Sequence, residues 1–253
     1  MDLNLRGKTV LVTGGSRGIG FAAAKQFLAE GALPTIVGRD IESLKSAAKE
    51  LNNCPYYACD LSDQNQSELL VNKIGPVDIL VNCAGGAITM PAESVHLEDW
   101  HNGLSKKLWA YLNVINPMIK HMARSQQGVV VNVIGIGGKV FSDNHLIGGS
   151  ANAALMMATA GYAKEYASKN IRVVGVNPAG VETTRLHNMI SQHAQHQGLT
   201  YEQVRQNMLK QYPQQEFVRL DTVANTIVFL ASDCAYSING TTIQVDGSRS
   251  PMI

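Results

Sequence analysis

Seven short apolar runs, each continuous rather than alternating, constrain this chain more than anything else in it. They are Thr9–Val12, Thr35–Val37, Tyr56–Ala58, Ile79–Val81, Val129–Val133, Val173–Val176 and Thr242–Val245. A strand that is apolar at successive positions must be covered on both faces, the situation of a parallel sheet buried between helices. Helix-patterned stretches fill the intervals: Ile19–Glu30, Ser43–Leu51, Glu68–Lys73, Trp100–Arg124, Ala151–Ser168 and Thr222–Leu230. The alternation predicts an α/β fold built on a doubly wound parallel sheet of about seven strands with helices on both faces. No repeat, low-complexity segment or charged linker interrupts it, so residues 1–253 are expected to form a single domain.

The bulk properties narrow the function classes. Hydrophobic residues make up 45% and charged residues 16%, as in an ordinary globular protein. A formal charge of +1 gives no global attraction for nucleic acid or an anionic membrane, so neither is expected as a partner. No apolar run approaches the roughly 18 residues that would span a bilayer. The four cysteines, Cys54, Cys59, Cys83 and Cys234, show no paired spacing, so neither disulfides nor a metal site is expected. Met1–Lys8 holds no apolar segment of a secretory signal, and a cytoplasmic location is the expectation.

Thr13-Gly14-Gly15-Ser16-Arg17-Gly18-Ile19-Gly20 follows the first strand directly and opens the first helix. Glycines allow the tight turn and let backbone N–H groups approach a pyrophosphate, while the helix N-terminus supplies partial positive charge. With a strand before it and a helix after it, the turn points to a dinucleotide on a Rossmann-type sheet.

The spacing TGxxxGxG resembles the short-chain dehydrogenase/reductase family, and further matches follow in order. Asp60-Leu61 stands after the third strand, where the family binds adenine. Asn82-Cys83-Ala84-Gly85 resembles the family's NNAG. Asn177-Pro178-Ala179-Gly180-Val181-Glu182-Thr183 resembles its PGxxxT segment with one residue inserted, and Val245-Asp246-Gly247 its closing VDGG. The resemblance implies a nicotinamide cofactor held by Thr13, Gly14, Ser16, Arg17, Gly18, Ile19, Gly20, Arg39, Asp60, Leu61, Asn82, Ala84, Gly85, Asn152, Pro178, Gly180, Val181 and Thr183. NADP(H) is expected over NAD(H), because Gly38 stands where an NAD-type carboxylate would be and Arg17 and Arg39 can clamp a phosphate. The bland alternative is a pair of solvated arginines, one neutralised by Asp40.

The same resemblance implies a Ser, Tyr, Lys and Asn for catalysis, and none stands at its place. Gly128-Val129-Val130-Val131-Asn132-Val133 resembles the family's fifth strand, which puts the Ser position at Gly135. Gly148-Gly149-Ser150-Ala151-Asn152-Ala153-Ala154-Leu155 aligns with YxxSKAAL, putting the Tyr position at Gly148 and the Lys position at Asn152. The thirteen residues from Gly135 to Gly148 match the family spacing. The Asn position falls on Lys107. Neither glycine nor an amide can supply a proton near neutral pH. His145, Lys107 or water are the candidate replacements as proton source, with a solvated loop histidine and a lysine paired to a phosphate or carboxylate as the bland alternatives for the two residues. Lys106 is expected to face solvent, and Asn152 to bond the nicotinamide ribose.

Residues of about 184–217 break the β–α rhythm with a His- and Gln-rich stretch, including His187, Gln192, His193, Gln195, His196 and Gln197. Its position after a strand end reads either as a substrate lid or as a solvated helical pair. Three functions fit the sequence. The first is an NADP(H)-dependent oxidoreductase acting on a small carbonyl or alcohol with a rearranged active site. The others are a non-redox lyase, isomerase or dehydratase that retains NADP, and a non-catalytic NADP-binding sensor or partner subunit. The long helices at Trp100–Arg124 and Ala151–Ser168 correspond to the family's dimerisation helices, so a homodimer or homotetramer is expected.

Overall fold

The computed structural model describes residues 1–86, 89–141 and 143–250. Seven strands form one parallel sheet: β1 (Thr9–Thr13), β2 (Leu33–Gly38), β3 (Tyr56–Ala58), β4 (Ile79–Asn82), β5 (Gly128–Val133), β6 (Ile171–Pro178) and β7 (Thr242–Val245). Their order is β3-β2-β1-β4-β5-β6-β7. All seven coincide with the apolar runs to within two residues at either end.

Continuous hydrophobicity is explained by burial on both faces. In β1, Val10 and Val12 join one core while Leu11 joins the other. In β4, Ile79 and Val81 divide from Leu80 in the same way. The first core is closed by α1 (Gly18–Ala29), α2 (Ile41–Glu50) and α9 (Leu220–Ala231). The second is closed by α3 (Gln64–Ile74), α5 (Ala110–Ser125) and α6 (Leu146–Tyr166). Local capping starts two of these helices: Asp40 accepts from Ser43 N–H and Asp63 from Gln66 N–H.

The helix expected over Trp100–Arg124 is three pieces. An α-helix, α4 (Leu97–Leu104), passes through a π-turn at Ser105–Trp109 into α5. The π-turn accommodates an extra residue where the helix crowds the loop after β4: a Cβ on Gly85 would lie 2.7 Å from Lys106 O. The stretch after β6 forms a helical hairpin, α7 (Thr184–Gln197) and α8 (Tyr201–Leu209), with a small core of its own around Leu186, Ile190, Val204, Tyr212 and Phe217.

A chain of buried polar side chains crosses the sheet at its carboxyl edge. Asn82 Nδ2 donates to Asn132 Oδ1, Asn132 Nδ2 to Thr159 Oγ1, and Thr159 Oγ1 to Leu155 O. Each amide is thereby satisfied without water, which a buried polar group requires. The link fixes the end of β4 to β5 and α6, the elements that border the site.

Candidate functional site

The strand order reverses between β1 and β4, and in open α/β sheets the crevice at the carboxyl ends beside such a reversal is where ligands bind. The Gly-rich turn lies there. Gly14 has φ +68°, and a Cβ on it would stand 2.9 Å from the backbone of Ala84, so only glycine lets this turn touch the loop after β4. A Cβ on Gly20 would overlap Gly14 O. Gly18 also has positive φ, and Ile19 packs against the first core. Thr13 is almost fully buried, and its hydroxyl accepts from the N–H groups of Cys83 and Ala84 at 3.0 and 3.1 Å. The side chains of Thr13 and Asn82 thus hold the loop together; neither presents a free polar group to a ligand.

The N-terminus of α1 has no side-chain cap and no acid in its first turn, leaving backbone N–H groups and Arg17 around an uncompensated positive pole. A Cβ on Gly38 would lie 3.6 Å from Ser16 Oγ, which places the turn against the end of β2. Arg17 and Arg39 are both exposed, and among the described residues neither has a carboxylate within 4.0 Å. Asp40 does not neutralise Arg39: its carboxylate is engaged by Ser43 N–H at 2.7 Å. Those Ser43 hydrogen bonds hold the Asp40 carboxyl below its usual value, with Arg17 a minor contributor. Asp60 is exposed at the end of β3 and accepts from the backbone and hydroxyl of Ser62, while Leu61 is buried beneath it.

The second half of the site lies between β5, the π-turn and α6. Lys107 Nζ donates to Tyr111 Oη at 2.9 Å and to Val133 O at 3.0 Å, and stands 4.4 Å from the centre of the Tyr111 ring. Tyr111 Oη in turn donates to Val133 O. Burial lowers the Lys107 pKa to about 8, with the nearby Arg185 charge pushing the same way and Cys83 opposing. Lys106 faces solvent. Gly135, at φ +122°, closes on Asn152: a Cβ there would be 3.3 Å from Asn152 Nδ2. Asn152 is buried on α6, one turn after buried Gly148. His145 immediately precedes α6 and its ring lies over Gly137, where a Cβ would meet Nε2 at 2.9 Å. Burial, then the charges of Arg185 and Lys107, push the imidazole below its usual value. The structure therefore brings Lys107, Gly135, His145, Gly148 and Asn152 into one neighbourhood.

The loop after β6 closes the third side. Pro178 ends the strand, and its carbonyl oxygen would be 3.8 Å from a Cβ on Gly135. Gly180 N–H donates to Tyr212 Oη at 2.8 Å, and Val181 bridges to Val218, so the end of the inserted hairpin pins the loop. Thr183 caps α7 through Leu186 N–H and sits beside Gly18. Arg185, in the first turn of α7, donates to Gly85 O at 3.4 Å. It faces the two candidate proton donors and was not among the residues singled out from sequence. Its one sequence signal is a cation in a helix first turn, where the dipole disfavours it. Asn177 Oδ1, at the end of β6, is the single fully buried side-chain polar atom without a partner among the described residues.

Comparison with known proteins decides the family. The short chain dehydrogenase family profile matches residues 8–194. The chain belongs to the short-chain dehydrogenases. It is 33% identical to the 3-oxoacyl-[acyl-carrier-protein] reductase of Thermotoga maritima over 97% of this chain and 98% of that one. It is 34% identical to the L-xylulose reductase of Bos taurus, with 98% of each chain covered. The crystal structure of L-sorbose reductase from Gluconobacter frateurii, complexed with NADPH and L-sorbose, superposes with a TM-score of 0.92 at 26% identity over the full length of both chains. The family is one of oxidoreductases, and the fold is that of its members.

Proposed function

We propose that this chain is an NADP(H)-dependent oxidoreductase that interconverts a small carbonyl compound and its alcohol, with Lys107 as proton donor. The observation that carries the reading is the Lys107 ammonium, fixed by Tyr111 and Val133 at the carboxyl edge of the sheet with a pKa near 8. An acid with a pKa close to the working pH is what proton transfer needs. Of its three hydrogens, the protein engages two. His145 is the lesser candidate, because its lowered pKa leaves it neutral at physiological pH.

The residues present fit the cofactor. Gly14, Gly15 and Gly20 let the turn pack tightly on itself, on β2 and on the loop after β4, the α1 N-terminus lacks a cap, and among the described residues no carboxylate lies within 4.0 Å of Arg17 or Arg39. The two arginines favour the 2′-phosphate of NADP(H), and the related L-sorbose reductase was crystallised with NADPH. Bound NADPH supplies a hydride; the chain supplies position, charge and the proton. Asn152, whose amide faces Gly135, bonds the nicotinamide ribose in this reading. The hairpin α7–α8 acts as the lid over the substrate, and the protein works in the cytoplasm as a homo-oligomer.

Titration of the purified protein with NADPH and NADH, followed by a panel of ketoses, oxo acids and their alcohols, tests the reading. Tighter binding of NADPH and its oxidation with at least one carbonyl compound are expected. Tight binding with no turnover on any compound would replace the oxidoreductase by a non-catalytic NADP-binding subunit. Chemical change of a substrate without net NADPH oxidation would replace it by a lyase or isomerase.

A further inference from the structure

Three basic side chains from three separate elements converge on the mouth of the proposed site. Lys107 comes from the π-turn, His145 from the start of α6 and Arg185 from the first turn of α7. Arg185 and Lys107 meet at Gly85: Arg185 donates to its carbonyl at 3.4 Å, and Lys107 Cδ would stand 3.2 Å from a Cβ on it, while His145 lies over Gly137 close enough to feel both charges. Among the described residues, no Asp or Glu lies within 4.0 Å of any of the three. Like charges held this close repel each other; burial is the main cause that lowers the pKa values of Lys107 and His145, and the Arg185 charge adds to it at both. Arg185 also opposes the dipole of its own helix. Helices α2, α4, α8 and α9 place an acid in the first turn, whereas α7 places this arginine there and no acid.

A negative charge brought by a ligand would relieve both conflicts. The cofactor proposed above would have its phosphates at the Gly-rich turn, with Arg17 and Arg39; Thr183 stands beside Gly18 of that turn, whereas Arg185 turns to Gly85 O and Lys107. We infer that the substrate carries an oxyanion, a carboxylate or a phosphate, close to its reacting carbonyl, and that Arg185 anchors this group at the mouth of the site while Lys107 faces the carbonyl. The inference rests on the oxidoreductase reading for its assignment of the ligand as substrate. It has a mechanistic consequence: an anion beside Lys107 raises the lysine's pKa again, so binding the correct substrate charges the proton donor.

The test uses matched pairs on the NADPH-loaded protein: acetoacetate with methyl acetoacetate, and dihydroxyacetone phosphate with dihydroxyacetone. Binding is read by the change in NADPH fluorescence and turnover by its loss of absorbance. The charged member of at least one pair should bind about tenfold or more tightly than the neutral one, and the pair that responds tells carboxylate from phosphate. Arg185→Met should abolish that preference without weakening NADPH binding. Equal affinity within both pairs overturns the inference, as does an Arg185→Met variant that loses NADPH affinity while leaving any preference intact, since the arginine then serves the cofactor. Reduction of neutral and charged members alike would leave the oxidoreductase standing and sink the oxyanion site. Selective binding of the charged members without NADPH oxidation would preserve the anion site and sink the oxidoreductase reading.

Discussion

Lys107 and His145 place the fall of activity at different pH, because burial shifts both groups toward their neutral forms from different starting points. Lysine is the acid below its pKa, so with Lys107 as donor the rate of carbonyl reduction is flat at low pH and falls as pH rises through about 8. Alcohol oxidation, which needs the neutral amine, rises through the same range. A histidine donor would make reduction fall already below the usual imidazole value, since the His145 pKa is lowered. The pH profile of kcat/KM should therefore show the alkaline limb and lose it in Lys107→Gln, with a rate loss on the order of 10²–10⁴. A limb that survives that substitution assigns the proton to another group. At the far end of the site, Arg39→Ala should lower the NADPH over NADH preference by about tenfold or more, the worth of a charge-assisted hydrogen bond; an unchanged ratio refutes the clamp. Arg17 and Arg39 were legible in sequence because the Gly-rich turn and the β2 end are local features. Arg185 was not: its partners, Gly85 and Lys107, lie far away along the chain, and nothing in Thr183-Thr184-Arg185 says which way the helix points its first turn.

At the scale of elements, the strands were readable because each side of every central strand feeds a different core, which leaves no room for polar alternation. The π-turn was unreadable. Trp100–Arg124 has one amphipathic rhythm, and the crowding of Lys106 O against Gly85 that accompanies the extra residue arises only after β4 is in place. Arg172, just before the apolar run Val173–Val176, likewise has a role that only the fold reveals, as a clamp. It is buried near the start of β6, where its guanidinium donates to Leu230 O and Ser232 O at 2.9 Å and to Ile238 O at 3.2 Å. It thus satisfies carbonyls at the C-terminal end of α9, where a cation also suits the helix dipole. Arg172→Met would strand those carbonyls away from water and should destabilise the fold by about 2–4 kcal/mol in denaturant unfolding. Because β6 begins at the sheet edge opposite the site, NADPH affinity should hold in the folded fraction. A variant as stable as the wild type would show that water replaces the guanidinium.

The whole molecule has one helix whose composition a single copy does not explain. From Leu146 to Ala163, α6 contains no charged residue. A helix that is apolar all round belongs in an interior. One face of α6 does pack on the sheet, through Ile147, Ala151, Leu155 and Thr159. The opposite face, with Ala153, Met157, Ala160 and Gly161, is exposed, and Met157 is 75% accessible. Trp109, at the junction of the π-turn and α5, is 51% accessible. Small residues around one large apolar side chain allow two such helices to approach closely, and a two-fold axis would set the face against its own copy. Covering this face in a homodimer or homotetramer resolves the mismatch between an interior composition and an exterior position. Since Asn152 lies on this helix and His145 stands at its N-terminal cap, the contact would also steady the site. Light scattering on the wild type at micromolar concentration should give at least a dimer. Met157→Lys places a charge at the centre of the contact and should shift the protein to monomer while leaving its helical circular dichroism unchanged. A wild-type monomer at that concentration, or a Met157→Lys protein of unaltered mass, removes α6 as the interface.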